Sequence, residues 1–313
     1  MRAGFARLFV ALLALSAVSH AAPAKGPVPD KPPAWTQKQK SSKERGVNPC
    51  NTPDPGFGRY RAWERGVARG QMIVPKRRRS GAFDLMLHFH GHEPARKEWV
   101  RAMDGPILVG IDLGLGSGPY EAAFRAHGSL RALVESVERA LSAKEGKPAR
   151  ARRIGLSAWS AGYGAVQNIL VDPWAMQRID TVVLLDGLHS GYVGRSLNEA
   201  QLRPFIDFSR EAAAGRKLMV VTHSSIIPPG YASTTETANF LVLKLGGRPQ
   251  KTRPRAGDPM GLELISRFSR KSFHVRGFAG NDTLDHCAHL GLYRDILKVH
   301  VRPRWSPGRV ASR

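Results

Sequence analysis

The chain has 313 residues, with 48 Lys+Arg against 25 Asp+Glu and a formal net charge of +23. Hydrophobic residues make up 42% and aromatics 8%, which excludes a disordered polybasic chain and suits one large domain or two small ones. The basic excess calls for an anionic partner, whether nucleic acid, membrane headgroups or acidic cell-envelope polymer, and says nothing of chemistry.

At the N-terminus, Arg2 and Arg7 are followed by an apolar run at 8–18 and by the small residues Ser19, Ala21 and Ala22. This is the order of a secretory signal peptide, with cleavage expected after Ala21. The run is shorter than the roughly 20 residues that a bilayer-spanning helix needs, so no transmembrane helix is expected after cleavage. The chain is therefore expected to be exported, to the periplasm or beyond. That moves the expected anionic partner from nucleic acid to the cell-envelope surface. Residues 22–55 read as a flexible basic leader, 56–301 as one domain and 302–313 as a basic tail. Cys50 and Cys287 complete the cysteine inventory, and in an oxidising compartment such a pair is expected to form one disulfide.

Within the domain, short apolar runs alternate with amphipathic stretches, the pattern of an α/β fold with a mostly parallel sheet and helices on both faces. The runs 71–74 and 83–89, joined by the basic turn 76–81, predict an antiparallel hairpin. A strand follows at 106–111. Leu130, Leu133, Val134, Val137 and Leu141 lie at 3- and 4-residue spacing, predicting one long helix over 120–144. Then come a strand at 154–158, a helix at 161–170 and an apolar strand at 181–185 covered on both faces. A helix at 196–214, a strand at 218–221 and a helix at 233–245 capped by Ser233 or Thr234 continue the alternation. The last strand is placed at 273–278 and the last helix at 285–299.

The informative segment is Ala158-Trp159-Ser160-Ala161-Gly162, where a strand runs in and a helix runs out. This is a nucleophile elbow with Ala in place of the first Gly of G-x-S-x-G. The turn is sharp, so the residues two before and two after the serine must be small. It lifts the Ser160 hydroxyl above the carboxyl edge of the sheet, near a helix N-terminus that favours negative charge.

With this elbow and element order the chain resembles the α/β-hydrolase superfamily over roughly residues 70 to 300. The resemblance implies a Ser–acid–His triad in that chain order and no cofactor. It assigns the nucleophile to Ser160. The acid falls on Asp186, directly after the strand at 181–185, with Asp282 and Asp285 as competitors. The histidine falls on His286, with His289 one turn further on as the alternative. The strand ending in Phe89-His90-Gly91-His92 is similar to the superfamily's oxyanion loop, so the backbone N–H of His92 would join that of Ala161. The activity implied is hydrolysis of a small-molecule or polymeric ester, ahead of an amide, through an acyl-enzyme. The segment 222–237, with Tyr231, could wall the substrate site or form a surface loop.

Two other readings stay open. His88, His90 and His92 alternate along one face if their strand continues, a spacing that could bind zinc, with Asp285, His286 and His289 as further donors. A fold that has lost its triad could instead serve as a non-catalytic binding protein of the cell envelope.

Overall fold

Every second side chain of the run 82–89 faces the opposite way, and the core is divided accordingly. Leu85, Leu87 and Phe89 point to one face of the sheet and Met86 to the other. The computed structural model describes residues 49–253, 259–280 and 282–306. The signal peptide, the leader as far as residue 48 and the tail from residue 307 lie outside the described residues.

In chain order the first part comprises β1 (Gln71–Ile73), β2 (Ala82–Phe89), α1 (His92–Ala102), β3 (Ile107–Ile111), α2 (Gly118–Ala123), α3 (Ser129–Glu145) and β4 (Arg150–Trp159). Next come α4 (Tyr163–Val171), α5 (Pro173–Arg178), β5 (Ile179–Leu185), the short ribbon β6 (Tyr192–Val193) and β7 (Ser196–Leu197), α6 (Glu199–Ala213), β8 (Leu218–Ser224) and α7 (Thr234–Lys244). The last elements are β9 (Gln250–Lys251), β10 (Leu264–Arg270), β11 (Phe273–Phe278), α8 (Thr283–Ile296) and α9 (Arg302–Trp305). Nine strands form one sheet in the order β1-β3-β2-β4-β5-β8-β11-β10-β9. From β3 to β11 all neighbours are parallel, while β1, β10 and β9 are antiparallel to theirs. This is a single α/β domain with the mostly parallel sheet expected.

Helices cover both faces. On one, Leu133 of α3, Val166 of α4, Phe205 of α6 and Leu241 of α7 pack with Leu87, Phe89 and Leu156. On the other, Trp99 of α1 and Tyr293 and Ile296 of α8 pack with Met86, Val183 and Val220. Burying such side chains on both sides of each central strand is the main stabilising contribution, at roughly 1.5–3 kcal/mol apiece. No helix among the described residues is long and apolar enough to cross a membrane.

Several expectations need correction. β1 does not form a hairpin with β2; it pairs antiparallel with β3, Gln71 opposite Gly110. Both edges of β2 are taken by its parallel neighbours β3 and β4, so β1 can join only at the outside. The helix expected over 120–144 is two helices, because the Gly128 N–H is captured by the Asp172 carboxylate (2.8 Å), which turns the chain between them. The helix expected from residue 196 starts at Glu199, where the Asn198 side chain caps it; residues 196–197 pair with 192–193 instead. Strand β10 was not anticipated. It lies on β11, and most of its residues are half-buried or exposed, so it lacks the apolar run that marked the others.

The first residues of the basic tail pack on the fold. Arg302–Trp305 forms a helical turn, and Trp305 is buried against the sheet. Its indole N–H donates to Asp180 (3.0 Å) and Thr181 (3.1 Å), and the Arg304 guanidinium also grips Asp180 (2.8 Å). A basic segment is thus fixed by a carboxylate at the start of β5.

Candidate active site

Strand β4 ends at Trp159, the chain turns through Ser160–Gly162 in a single 3-10 turn, and α4 begins at Tyr163. Ser160 has φ 48°, a left-handed conformation that costs energy for a residue with a side chain. The surroundings impose it. Gly162 lies so close to the end of β2 that an added Cβ would sit 2.2 Å from the Phe89 carbonyl oxygen. Ser160 is therefore held above the carboxyl edge of the sheet.

On the neighbouring strand, Asp186 follows β5 directly, also with positive φ (44°). Its N–H donates to the Thr222 carbonyl at 3.0 Å, which fixes the turn to β8. The side chain is 2% exposed. One carboxylate oxygen accepts from the Ser224 N–H (2.7 Å) and the Thr234 hydroxyl (2.5 Å), the other from Nδ1–H of His286 (2.6 Å). Burial alone would raise the Asp186 carboxyl. The imidazoles of His289 and His286 and the Thr234 hydroxyl outweigh it, holding the group well below the ordinary carboxylate range. With Nδ1–H given to Asp186, Nε2 of His286 is left as the acceptor nitrogen.

Ser160, Asp186 and His286 line one cavity of about 380 Å³, together with His189, Ile226, Pro228 and Tyr231. Three distant parts of the chain thus converge on one opening. Gly187 lies against the serine from behind, where an added Cβ would be 2.5 Å from the Ser160 carbonyl oxygen and 2.7 Å from its nitrogen. The segment 226–234 supplies one wall, with Tyr231 44% exposed at its rim.

The other candidates have different partners. Asp282 borders the cavity but caps α8, accepting from the Asp285 N–H at 2.8 Å. Asp285 is fully buried. His289 is fully buried too, does not line the cavity and bonds the Thr222 hydroxyl through Nδ1 (2.8 Å). Burial pulls its pKa down to about 4.

The His92 N–H points at the Asp112 carboxylate (3.4 Å), which also takes Nδ1 of the His92 ring, while Nε2 meets Gln71 (2.8 Å). His88 is buried, with Nδ1 on the Ser157 hydroxyl (2.8 Å) and Nε2 on the His90 carbonyl (2.9 Å). His90 has φ 70° and bonds the Tyr120 hydroxyl (2.9 Å). The three imidazoles therefore serve three separate sets of partners. Among the described residues no group of three or more His, Cys, Asp or Glu side chains is placed to hold a metal ion.

Two features were not read from the sequence. Trp159 is sandwiched between His90 (5.0 Å between centroids, 9°) and His286 (4.9 Å, 30°), and its indole N–H donates to the His286 carbonyl at 3.1 Å. Thr234 also belongs to the site, although its sequence signal was only that of a helix start. Ser233 is the cap of α7, in a reciprocal bond with Glu236, which frees Thr234 to bond Asp186. The sulfurs of Cys50 and Cys287 are 2.13 Å apart, so the segment before β1 is fastened to α8 beside His286.

No family model and no curated protein matches the chain. Among solved structures it is similar to an enterochelin esterase from Shigella flexneri, with a TM-score of 0.45 and 14% identity over 79% of this chain and 60% of that one. It is also similar to a prolyl endopeptidase, with a TM-score of 0.38 and 11% identity over 78% of this chain and 39% of that one. The chain spans less than two thirds of the length of either.

Proposed function

We propose that this chain is an exported serine hydrolase that cleaves carboxylic esters through an acyl-enzyme on Ser160. The observation that carries the reading is the bond between Asp186 and Nδ1 of His286 (2.6 Å) at the cavity that Ser160 also lines. Nε2 of His286 takes the Ser160 proton as the hydroxyl attacks the carbonyl, then passes it to the leaving alcohol. Asp186 orients the ring and stabilises the imidazolium. The Ala161 N–H, at the start of the turn into α4, supplies one oxyanion donor. His92 supplies the second only once its N–H turns from Asp112 toward the cavity. A lost donor is worth about 3–4 kcal/mol in the barrier. The disulfide and the sequence order of residues 1–22 support an oxidising location outside the cytoplasm.

The test is a panel of p-nitrophenyl esters of rising acyl length, run on the wild type and on Ser160→Ala. The variant is expected to lose at least about 10⁴-fold in kcat/KM. Equal hydrolysis by both proteins would overturn the reading.

Gly187→Ala tests the placement of the nucleophile without touching a reacting group. The new methyl has to displace the Ser160 backbone, and a misplacement near 1 Å costs about 10²-fold in rate. We expect a loss of that order in kcat on the same esters, with KM less affected. Wild-type kinetics would show that the contact behind Ser160 is immaterial.

A further inference from the structure

The basic turn 76–79 plays no part in the proposed chemistry, yet it stands at a built feature of the fold. Arg77, Arg78 and Arg79 line a concavity of about 280 Å³ with Arg152 and Arg302. Three segments far apart in sequence therefore bring five arginines to the lining of one opening. Among the described residues, the carboxylates lining it are those of Asp84 and Asp104. Both are already engaged, Asp84 by Arg152 and Arg153 (each 2.7 Å) and Asp104 by Arg59. Arg78 pairs with Glu145 and is 8% exposed. Its Nη1 is buried with no hydrogen-bond partner among the described residues, a state that calls for an explanation in a native protein. Arg77, Arg79 and Arg302 are exposed, and none has an acidic partner among the described residues. Arg78 also borders a second cleft, with Arg61, Lys76 and Lys147. The cationic strip is thus longer than a single small anion.

We infer that this strip is a binding site for a linear polymer bearing phosphate groups. Guanidinium forks match phosphate oxygens in pairs, and a chain of phosphates can occupy two adjoining clefts at once. The site is remote from the chemistry. The first concavity is bordered by the beginnings of β2 and β4, at Asp84 and Arg152, whereas Ser160 follows the end of β4. Ser160 lies eight positions beyond Arg152 along extended strand, about 25 Å away. A polymer held at one edge of the sheet leaves the cavity at the other edge open. The inference does not depend on what Ser160 does.

The experiment measures binding of long-chain inorganic polyphosphate as a function of salt. It compares the wild type, a variant combining Arg77→Gln, Arg79→Gln and Arg302→Gln, and a control combining Arg131→Gln, Arg139→Gln and Arg203→Gln. The control arginines are exposed on α3 and α6, so both variants lose the same net charge. The strip variant is expected to bind about 100-fold more weakly at low salt. The slope of log affinity against log salt should fall by about 2, near the value for three contacts to a single-stranded polyelectrolyte. The control should stay within about threefold of the wild type. Thermal unfolding midpoints verify that both variants fold. Equal weakening by the two variants would overturn the site in favour of net charge alone. Equal binding of polygalacturonate of matched length would overturn the phosphate assignment. Capture by anionic vesicles that polyphosphate does not compete away would overturn the polymer in favour of a membrane surface.

Discussion

Asp186→Asn should lower kcat on the best ester by about 10⁴-fold while leaving the fold intact. The reason is the direction in which the new amide must face. One oxygen of Asp186 receives two donors, the Ser224 N–H and the Thr234 hydroxyl. An asparagine keeps its carbonyl oxygen there, because an NH₂ group would oppose the Ser224 N–H inside a site with 2% exposure. The NH₂ is then left to face Nδ1 of His286. It can donate only to an unprotonated Nδ1, so the proton moves to Nε2, and that nitrogen can no longer accept from Ser160. The variant has the right shape and the wrong tautomer. Steady-state kinetics together with a thermal unfolding midpoint separate this from simple damage. Activity within tenfold of the wild type would refute Asp186 as the orienting acid, with Asp282 the next to test.

A second large effect should appear on acidification. His88, His223 and His289 are buried in the core, and burial pulls each pKa down to about 4. In the unfolded chain a histidine takes up its proton near pH 6.5. Between those values the unfolded state binds more protons than the folded one, so stability falls as the pH is lowered from about 6.5 toward 4. Each histidine costs roughly 3 kcal/mol by the lower end. Three together rival the 5–15 kcal/mol that holds a typical domain folded. Asp186 adds its own loss at lower pH still, because its folded pKa lies below the ordinary carboxylate range. Urea midpoints measured from pH 7.5 to 4.5 should therefore drop steeply below pH 6.5. A flat profile would mean that these imidazoles are not held neutral.

The sequence carried the fold class well because the central strands are nearly pure apolar runs. β5, reading IDTVVLL, and β8, reading LMVVTHS, leave little doubt of burial on both faces. Ser160 was legible for a related reason: small residues on both sides of a serine between a strand and a helix have few other uses. Asp186 and His286 rested on element order and family pattern, with competitors left open. In the structure Asp186 bonds His286 at the cavity that Ser160 lines, while His289, one helical turn further on, lies inside the core. Pairings between distant segments stayed hidden. The partner of β1 depends on which edges β2 has left free, and no local pattern records that. β10 was missed because a half-exposed strand near the sheet's edge need not be apolar. Trp159 read as packing; its contact with the His286 ring exists only because β4 and α8 meet at the same end of the sheet.

Trp305 has a consequence for the order in which the molecule can be completed. Its ring approaches Gly155 so closely that a Cβ there would lie 2.8 Å away, and it packs with Met86 against two strands in the middle of the sheet. On the ribosome those strands are made some 150 to 220 residues before the residue that covers them. Until residue 305 has emerged, Met86 and its neighbours lack part of their cover, and the Asp180 carboxylate lacks Arg304 and the indole N–H of Trp305. The centre of the sheet can therefore be sealed only after residue 305 has been synthesised, which leaves a long interval in which these two strands stay partly uncovered.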